Sequence, residues 1–449
     1  MFKRILVANR GEIALRIIRA AHDLGIEAVA VYSEADRDAV YVKAADDSVC
    51  IGPAPSAESY LDITRIISAA EITGAEAIHP GYGFLAENAH FAEVCAACDI
   101  VFIGPSPEII DSCGDKSNAK ETAVKAGVPV VPGSDGAVDS LEHGAEVAEQ
   151  VGYPVMIKAA AGGGGRGMRR AGSAEDFASC FNAAQQEAMG AFDDDKVYIE
   201  KFVEEPRHVE VQILADNNNN VIHLGERDCS IQRRHQKLIE ESPSPATTPE
   251  LRKAMGEAAI NFAKTSGYVN AGTVEFLLDK HGNFFFIELN ARIQVEHCVT
   301  EMVTGIDLVK WQIMIAAGID LDIAQSDVAL TGHAIEFRIN AENSARNFAP
   351  APGTIADLYW PGGPGIRIDT HVGANYKIPT TYDSMIAKLI VHGKDREEAI
   401  RIGKRALGEV IVDGPGVFTT VPLHIAILDD QQFVDADFDT SYLDTFLNE

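Results

Sequence analysis

The sequence predicts a mixed α/β and α+β fold in three parts: an N-terminal parallel-sheet domain, a central domain of strand pairs and long helices, and a β-rich C-terminal domain. Three observations carry this reading. The chain has 449 residues, more than one ordinary core accommodates. Apolar strands alternate with amphipathic helices as far as about Cys113, and the texture changes near Asp115 and again near Thr331.

In order along the chain, Ile5–Ala8 reads as an apolar strand, Asn9–Glu12 as a turn, and Ile13, Ile17, Ile18 and Leu24 as one helix face. Gly25 closes that helix and Ala28–Tyr32 is the next strand, so residues 1–114 form a Rossmann-like domain. Its first turn, Asn9-Arg10-Gly11-Glu12, lacks the glycine spacing that brings backbone against a pyrophosphate, so dinucleotide binding does not follow from the shape. Residues 115–330 make the central domain, with a hairpin tip at Asn217–Asn220 and a long helix over Pro249–Thr265. Residues 331–449 carry Pro-Gly turns within Ala349–Gly353 and Trp360–Gly365, then a helix over Arg396–Leu407.

The formal net charge of −29 excludes a broad nucleic-acid surface, which needs a basic face. No apolar run approaches the roughly 20 residues that span a bilayer, and Met1–Arg10 has too short an apolar core for a signal peptide. A cytoplasmic protein with no membrane partner is expected. Its seven scattered cysteines fit reduced thiols, and the Cys95/Cys98 pair, with no second C-x-x-C, reads as helix packing.

Pro154–Lys158 is a buried-strand pattern ending in lysine, followed by the glycines of Gly162–Gly165 and Gly167. A glycine loop lets backbone N–H groups approach phosphates while a lysine offsets their charge. No helix opens on the loop and no Walker lysine precedes Ser or Thr, so it reads as a lid over ATP or as a flexible surface hairpin. Ala271–Leu278 and Phe284–Leu289 form a hairpin turning at Lys280–Asn283, which sets Glu275 opposite Glu288 with Asn290 farther along the same face. Two carboxylates and an amide oxygen suit a hard ion such as Mg²⁺, with Mn²⁺ an acceptable substitute. Continued alternation places Asn290, Arg292, Gln294 and Glu296 on one face and Ala291, Ile293 and Val295 on the other. That face is either an ordinary polar strand surface or a second-substrate site in which an arginine fork holds a planar oxyanion and a carboxylate takes its proton. Arg227–Lys237 is a basic island, suited to phosphate or carboxylate unless it is simply a solvated loop. On Ile335–Asn340, Arg338 shares a polar face with Glu336 and Asn340.

Arg227–Lys237 and Glu288–His297 together resemble the signature of biotin carboxylases, as do Ala8–Ala14, His79–Leu85 and Tyr382–Met385. The resemblance implies an ATP-grasp central domain with a lid over about residues 131–203. It implies that Lys116, Lys158, Gly163, Gly164, Gly165, Glu200, Lys201, Val203, His208, Gln232, His235 and Leu277 surround ATP. Glu275, Glu288 and Asn290 would hold Mg²⁺, and Arg292, Gln294, Val295 and Lys237 would bind bicarbonate. Glu296 would deprotonate bicarbonate, and Arg338 would steady the biotin enolate, with Tyr82 near the biotin ring. Cys229, inside the motif, is expected to pack rather than attack. Two positions depart from the family pattern: Cys298 replaces a usual proline, and Thr380-Thr381 replaces Pro-Tyr.

No biotin-attachment Met-Lys-Met is present. The resemblance therefore implies a separate biotin carboxyl carrier protein, a separate carboxyltransferase and a homodimer, with acetyl-CoA carboxylase of fatty acid biosynthesis the leading context. Other readings are an ATP-grasp ligase with an amine acceptor, which would not need Arg338, and a silent ATP-binding subunit, which would be free to lose Glu296. A Rossmann dehydrogenase lacks its fingerprint here.

Overall fold

In the computed structural model, which describes residues 1–138, 140–159, 168–192 and 194–448, the apolar run Ile5–Val7 is fully buried at the centre of the first sheet. Strands β1 (Arg4–Val7), β2 (Glu27–Ser33), β3 (Asp47–Gly52), β4 (Ala77–His79) and β5 (Val101–Phe102) form a five-stranded parallel sheet in the order β3-β2-β1-β4-β5. The helix Gly11–Asp23 buries Ile13, Ile17 and Ile18 as the sequence period requires. The first turn serves the fold in place of phosphate binding. Arg10 makes a two-pronged ion pair with buried Asp36 at 2.7 Å, and Asn9 Nδ2 donates to the carbonyls of Pro80 and Tyr82. Cys95 is buried on the helix Ala89–Ala97, and both it and Cys98 are free thiols.

A small sheet, β7-β6-β8, follows: β6 (Val155–Ala159), β7 (Met168–Ala171) and β8 (Val197–Lys201). The helices Leu141–Val151 and Ala174–Phe192 cover it, and Val155, Ile157, Phe177, Phe181 and Ile199 make its own core. The loop with Gly163, Gly164 and Gly165 lies outside the described residues.

The largest sheet contains β9 (Arg207–Ala215), β10 (Val221–Arg233), β11 (Gln236–Ser242), β12 (Asn270–Leu278), β13 (Phe284–Asn290) and β14 (His333–Asn340). Beyond a ribbon of β15 (Glu342–Asn343) with β16 (Ala349–Pro350), and a strand β17 (Asp357–Tyr359) that pairs with β20 (Ile411–Asp413), it gains β18 (Ile366–Thr370) and β19 (Met385–Gly393). The order of these eight strands is β13-β12-β9-β10-β11-β14-β19-β18, so one sheet runs across residue 330. Alternation decides its faces: Ile335, Phe337 and Ile339 enter the core with the C-terminal helices, leaving Glu336 and Arg338 on the other face. Among the described residues no helix is long and apolar enough to cross a membrane.

Candidate active site

A cleft of about 1150 Å³ opens between the small sheet and the large one. Of the residues expected around ATP, Lys116, Lys158, Glu200, Lys201, Val203, His208, Gln232, His235 and Leu277 line it, together with Glu288. Glu200 is the local counter-ion: its two oxygens reach Lys158 at 2.6 Å and Lys120 at 3.3 Å. Lys201 instead turns its ammonium onto the carbonyls of Gly152 and Tyr153, so only its backbone and stem face the cleft.

The basic island is not a solvated loop. Residues through Arg233 continue β10, and Arg227 is fully buried. Burial of a guanidinium requires partners on every edge. Arg227 reaches Glu210 at 2.6 Å, Gln212 at 2.7 Å, Thr300 at 3.0 Å and Thr273 at 3.1 Å. Glu210 in turn takes Lys237 on its other oxygen at 2.6 Å.

Lys237 is the junction of the site. Its ammonium lies 2.6 Å from Glu296 Oε1 and 3.1 Å from Glu275 Oε1. Glu296 presents its second oxygen to Arg338 at 3.0 Å, and Arg338 Nε is held by Glu240 at 2.6 Å. Burial alone would lift the Glu296 carboxyl, but Lys237, Arg338 and Arg227 outweigh it and hold it well below the ordinary range. Glu296 is therefore ionised at neutral pH, clamped between two cations. Cys229 is buried with its sulfur 3.8 Å from Glu296, and burial pushes the thiol up, so it packs and does not attack.

Glu275 stands opposite Glu288 as expected, but only through a register shift between Glu275 and Phe276 that skips Ile287, and Asn290 stands opposite Thr273. Burial and the facing Glu275 both push Glu288 up, while Lys116 draws it down. Two carboxylates so placed repel, and a hard divalent ion between them relieves it. Glu275 Oε2 also meets His208 at 2.8 Å, and its Oε1 accepts from Asn290 Nδ2 at 2.9 Å. Asn290 Oδ1 accepts from Arg292 at 3.1 Å, so this amide oxygen faces Arg292 rather than the carboxylate pair.

One expectation needs correction. The strand alternation does not continue through Glu296, because β13 ends at Asn290 and the chain bends before the helix His297–Thr304. Arg292, Gln294 and Glu296 nevertheless converge. Arg292 Nη1 donates to Gln294 at 2.8 Å, and Gln294 donates to Glu275 at 3.2 Å. Ile293 anchors the bend in the apolar core, and the Val295 carbonyl accepts from buried Lys388 at 2.8 Å. Tyr82 gives its hydroxyl to Glu12, which also pairs with Lys388 at 3.2 Å. The two departures leave these contacts intact. Cys298 is buried with its sulfur 3.2 Å from Asp369, and Tyr382, after the exposed Thr380-Thr381, donates to Ala54 O at 2.6 Å.

Sequence reasoning missed Glu87, which holds Arg292 Nε at 2.8 Å, and also Lys120, Glu210, Glu240 and Lys388. The signal was negative: three of these, Glu210, Glu240 and Lys388, are charged residues within otherwise apolar or alternating strands.

The biotin carboxylase N-terminal domain matches residues 1–110, the ATP-binding domain of the carbamoyl-phosphate synthase L chain matches 115–324, and the biotin carboxylase C-terminal domain matches 336–445. The chain is 58% identical to the biotin carboxylase of a Nostoc species over 98% of both proteins. The chain belongs to the biotin carboxylase family. Family members carry out the ATP-dependent carboxylation of biotin, and this chain is an ATP-grasp enzyme of that kind. It is also 54% identical to a pyruvate carboxylase subunit of Methanothermobacter thermautotrophicus, over 99% of the chain and 90% of that protein. A solved dimer of the biotin carboxylase domain of Hydrogenobacter thermophilus 2-oxoglutarate carboxylase, in complex with MgADP, ADP and bicarbonate, superposes with a TM-score of 0.91. It shares 50% identity and covers 99% of this chain and 98% of that one.

Proposed function

We propose that this biotin carboxylase performs the first half-reaction of an acetyl-CoA carboxylase, charging biotin on a separate carrier protein from which a carboxyltransferase discharges it. The observation that carries the catalytic part is the buried Glu296 carboxyl held between Lys237 and Arg338. In this reading the cleft takes ATP, with Lys116, Lys158, His208, Gln232 and His235 toward the nucleotide and residues 200–203 with Leu277 beside the base. Glu275 and Glu288, with Asn290 nearby, would hold Mg²⁺, which would supply positive charge to offset that on the transferring phosphoryl group.

Arg292, Gln294, Lys237 and the backbone at Val295 hold bicarbonate beside Glu296. Glu296 takes its proton, and the freed oxygen attacks the γ-phosphorus as the bond to ADP breaks, giving carboxyphosphate. Carboxyphosphate separates into CO₂ and phosphate. Phosphate removes the ureido N–H proton of biotin, and the resulting nitrogen nucleophile takes CO₂. Arg338 offsets the charge on the ureido oxygen, and Tyr82 borders the ring.

The acetyl-CoA assignment is favoured by the 58% identity to a biotin carboxylase of matching length, and relatives from pyruvate and 2-oxoglutarate systems share that length. Homodimerisation is supported by the dimeric thermophilic relative. We also divide the chain into domains at 1–114, 115–330 and 331–449, with a lid at about 131–203 and a cytoplasmic setting.

The test is bicarbonate-dependent ADP release from MgATP with and without free biotin, in the parent, Glu296→Ala and Arg338→Ala. Biotin stimulation that both substitutions abolish is expected. ATP binding without any stimulation by biotin would reject the reading. Carboxylation of acetyl-CoA, rather than pyruvate, on adding carrier and transferase components settles the acceptor.

A further inference from the structure

Beneath Arg338 lies a pair of carboxyl groups that the reaction above does not use. Glu336 shares a face of β14 with Arg338, and the strand register sets it directly opposite Glu240 on β11. Both residues are fully buried. Glu240 spends Oε1 on Arg338 Nε; among the described residues its Oε2 meets no donor, and both oxygens of Glu336 also meet none.

The charged and titratable groups around Glu336 come from every side of this layer. They are Lys388 on β19, Arg338 on its own strand, Glu240 on β11, and Glu296 and Cys298 at the start of the helix His297–Thr304. Lys388 gives its protons to Val295 O and Glu12, and Arg338 gives its own to Glu240 and Glu296. Among the described residues, neither cation makes an ion pair with Glu336. Three oxygens without a protein donor, on two facing and fully buried carboxylates, are too costly for both groups to be ionised. A single proton between them removes the repulsion and supplies the missing donor.

We propose that Glu336 is a neutral carboxylic acid that donates to Glu240 Oε2, and that this carboxyl–carboxylate pair positions Arg338. The proposal rests on the role of Arg338 given above. The pair carries one negative charge, enough to fix Nε of the guanidinium. The opposite edge, at Nη2, stays turned to Glu296 and to the incoming ureido oxygen. A second negative charge would draw Arg338 back toward the sheet. Glu336 is a positioning residue: it acts through Glu240 and Arg338. In accord with this, burial pushes the Glu336 carboxyl well above the ordinary range and lifts Glu240 to about 7.

The test pairs a spectroscopic with a kinetic readout on the full chain. Difference infrared spectra of the parent minus Glu336→Gln, at neutral pH, are expected to show the carbonyl stretch of a protonated carboxylic acid. Glutamine copies the neutral acid, with one donor and one acceptor edge, so Glu336→Gln is expected to keep kcat and the KM for biotin within about twofold. Glu336→Leu leaves Glu240 without its donor and is expected to raise the KM for biotin about tenfold while the KM for ATP stays put. If the leucine variant does not fold, the band and the glutamine variant decide the matter. No protonated-carboxyl band in the difference spectrum, or a glutamine variant as impaired toward biotin as an ionised-group loss requires, overturns the proposal. A parent without biotin-dependent turnover would instead remove the reading of Arg338, and the infrared band would still report on the acid.

Discussion

The nucleotide cleft and the ionic layer beside it are built on opposite plans. In the cleft, Lys158 is about a quarter exposed and Lys120 a third, and one carboxylate, Glu200, serves both. In the layer, Arg227, Glu210, Glu240 and Glu296 have no exposure, and most charges are shared by two or three partners. A cleft that takes a large, flexible polyanion gains from cations that can move to meet it. A site that handles a proton and a planar anion gains from charges that are already in place, because a preorganised charge needs no reorganisation when the reaction occurs. The two regions meet through His208, which lines the cleft and touches Glu275.

The largest effect should come from the clamped carboxylate. Glu296→Gln keeps the shape but removes the base, and biotin-dependent ADP release should fall between about 10²- and 10⁴-fold. ATP affinity, measured by nucleotide titration, should change little if the two plans are separate. Next is the anchor under the layer. Arg227→Met leaves Glu210 buried against one cation fewer, and urea unfolding should show a loss of about 3 to 5 kcal/mol.

A buried pair away from the chemistry provides the contrast. Glu241, on the same strand as Glu240, is buried, but Arg396 and His333 overcome that and hold it at about 2 against the ordinary 4.5. Its folded-state value is depressed, so its stabilisation is complete above about 4.5 and disappears as the pH falls toward 2. Glu241→Gln should therefore cost about 3 kcal/mol at neutral pH and flatten the acid limb of the stability curve, with kcat unchanged. The smallest effect belongs to the cleft. Glu200→Gln releases Lys158 and Lys120, and the KM for ATP should fall about two- to fivefold, the scale of a partly exposed ion pair.

What could be seen in the sequence was whatever local geometry repeats. The Glu275–Glu288 facing pair was expected from a hairpin turn and a period of two but is set by an unforeseen register shift beside Phe276. Arg338's face, by contrast, followed from Ile335, Phe337 and Ile339. The bend at Ala291–Glu296 was hidden, because alternation also describes a chain whose apolar residues plug two different cores: Ala291 packs in one and Ile293 in another. Glu240 and Lys388 were hidden for a different reason. Each is an ordinary charged residue on a strand, and its partner lies far away along the chain: Arg338 is 98 residues beyond Glu240, and Val295 is 93 before Lys388. Only the sheet order brings them together.

That order also bears on how the chain tolerates being divided. β11 pairs with β10 on one side and β14 on the other, so the strand carrying Arg338 is the direct neighbour of the strand carrying Lys237 and Glu240. A fragment ending near residue 330 would retain the whole nucleotide cleft except its Thr440 and Asp444 corner. It would also present β11 as a bare edge with unpaired backbone groups, an open template for joining other chains. Such a fragment should self-associate through that edge, and a peptide spanning β14 should cap it.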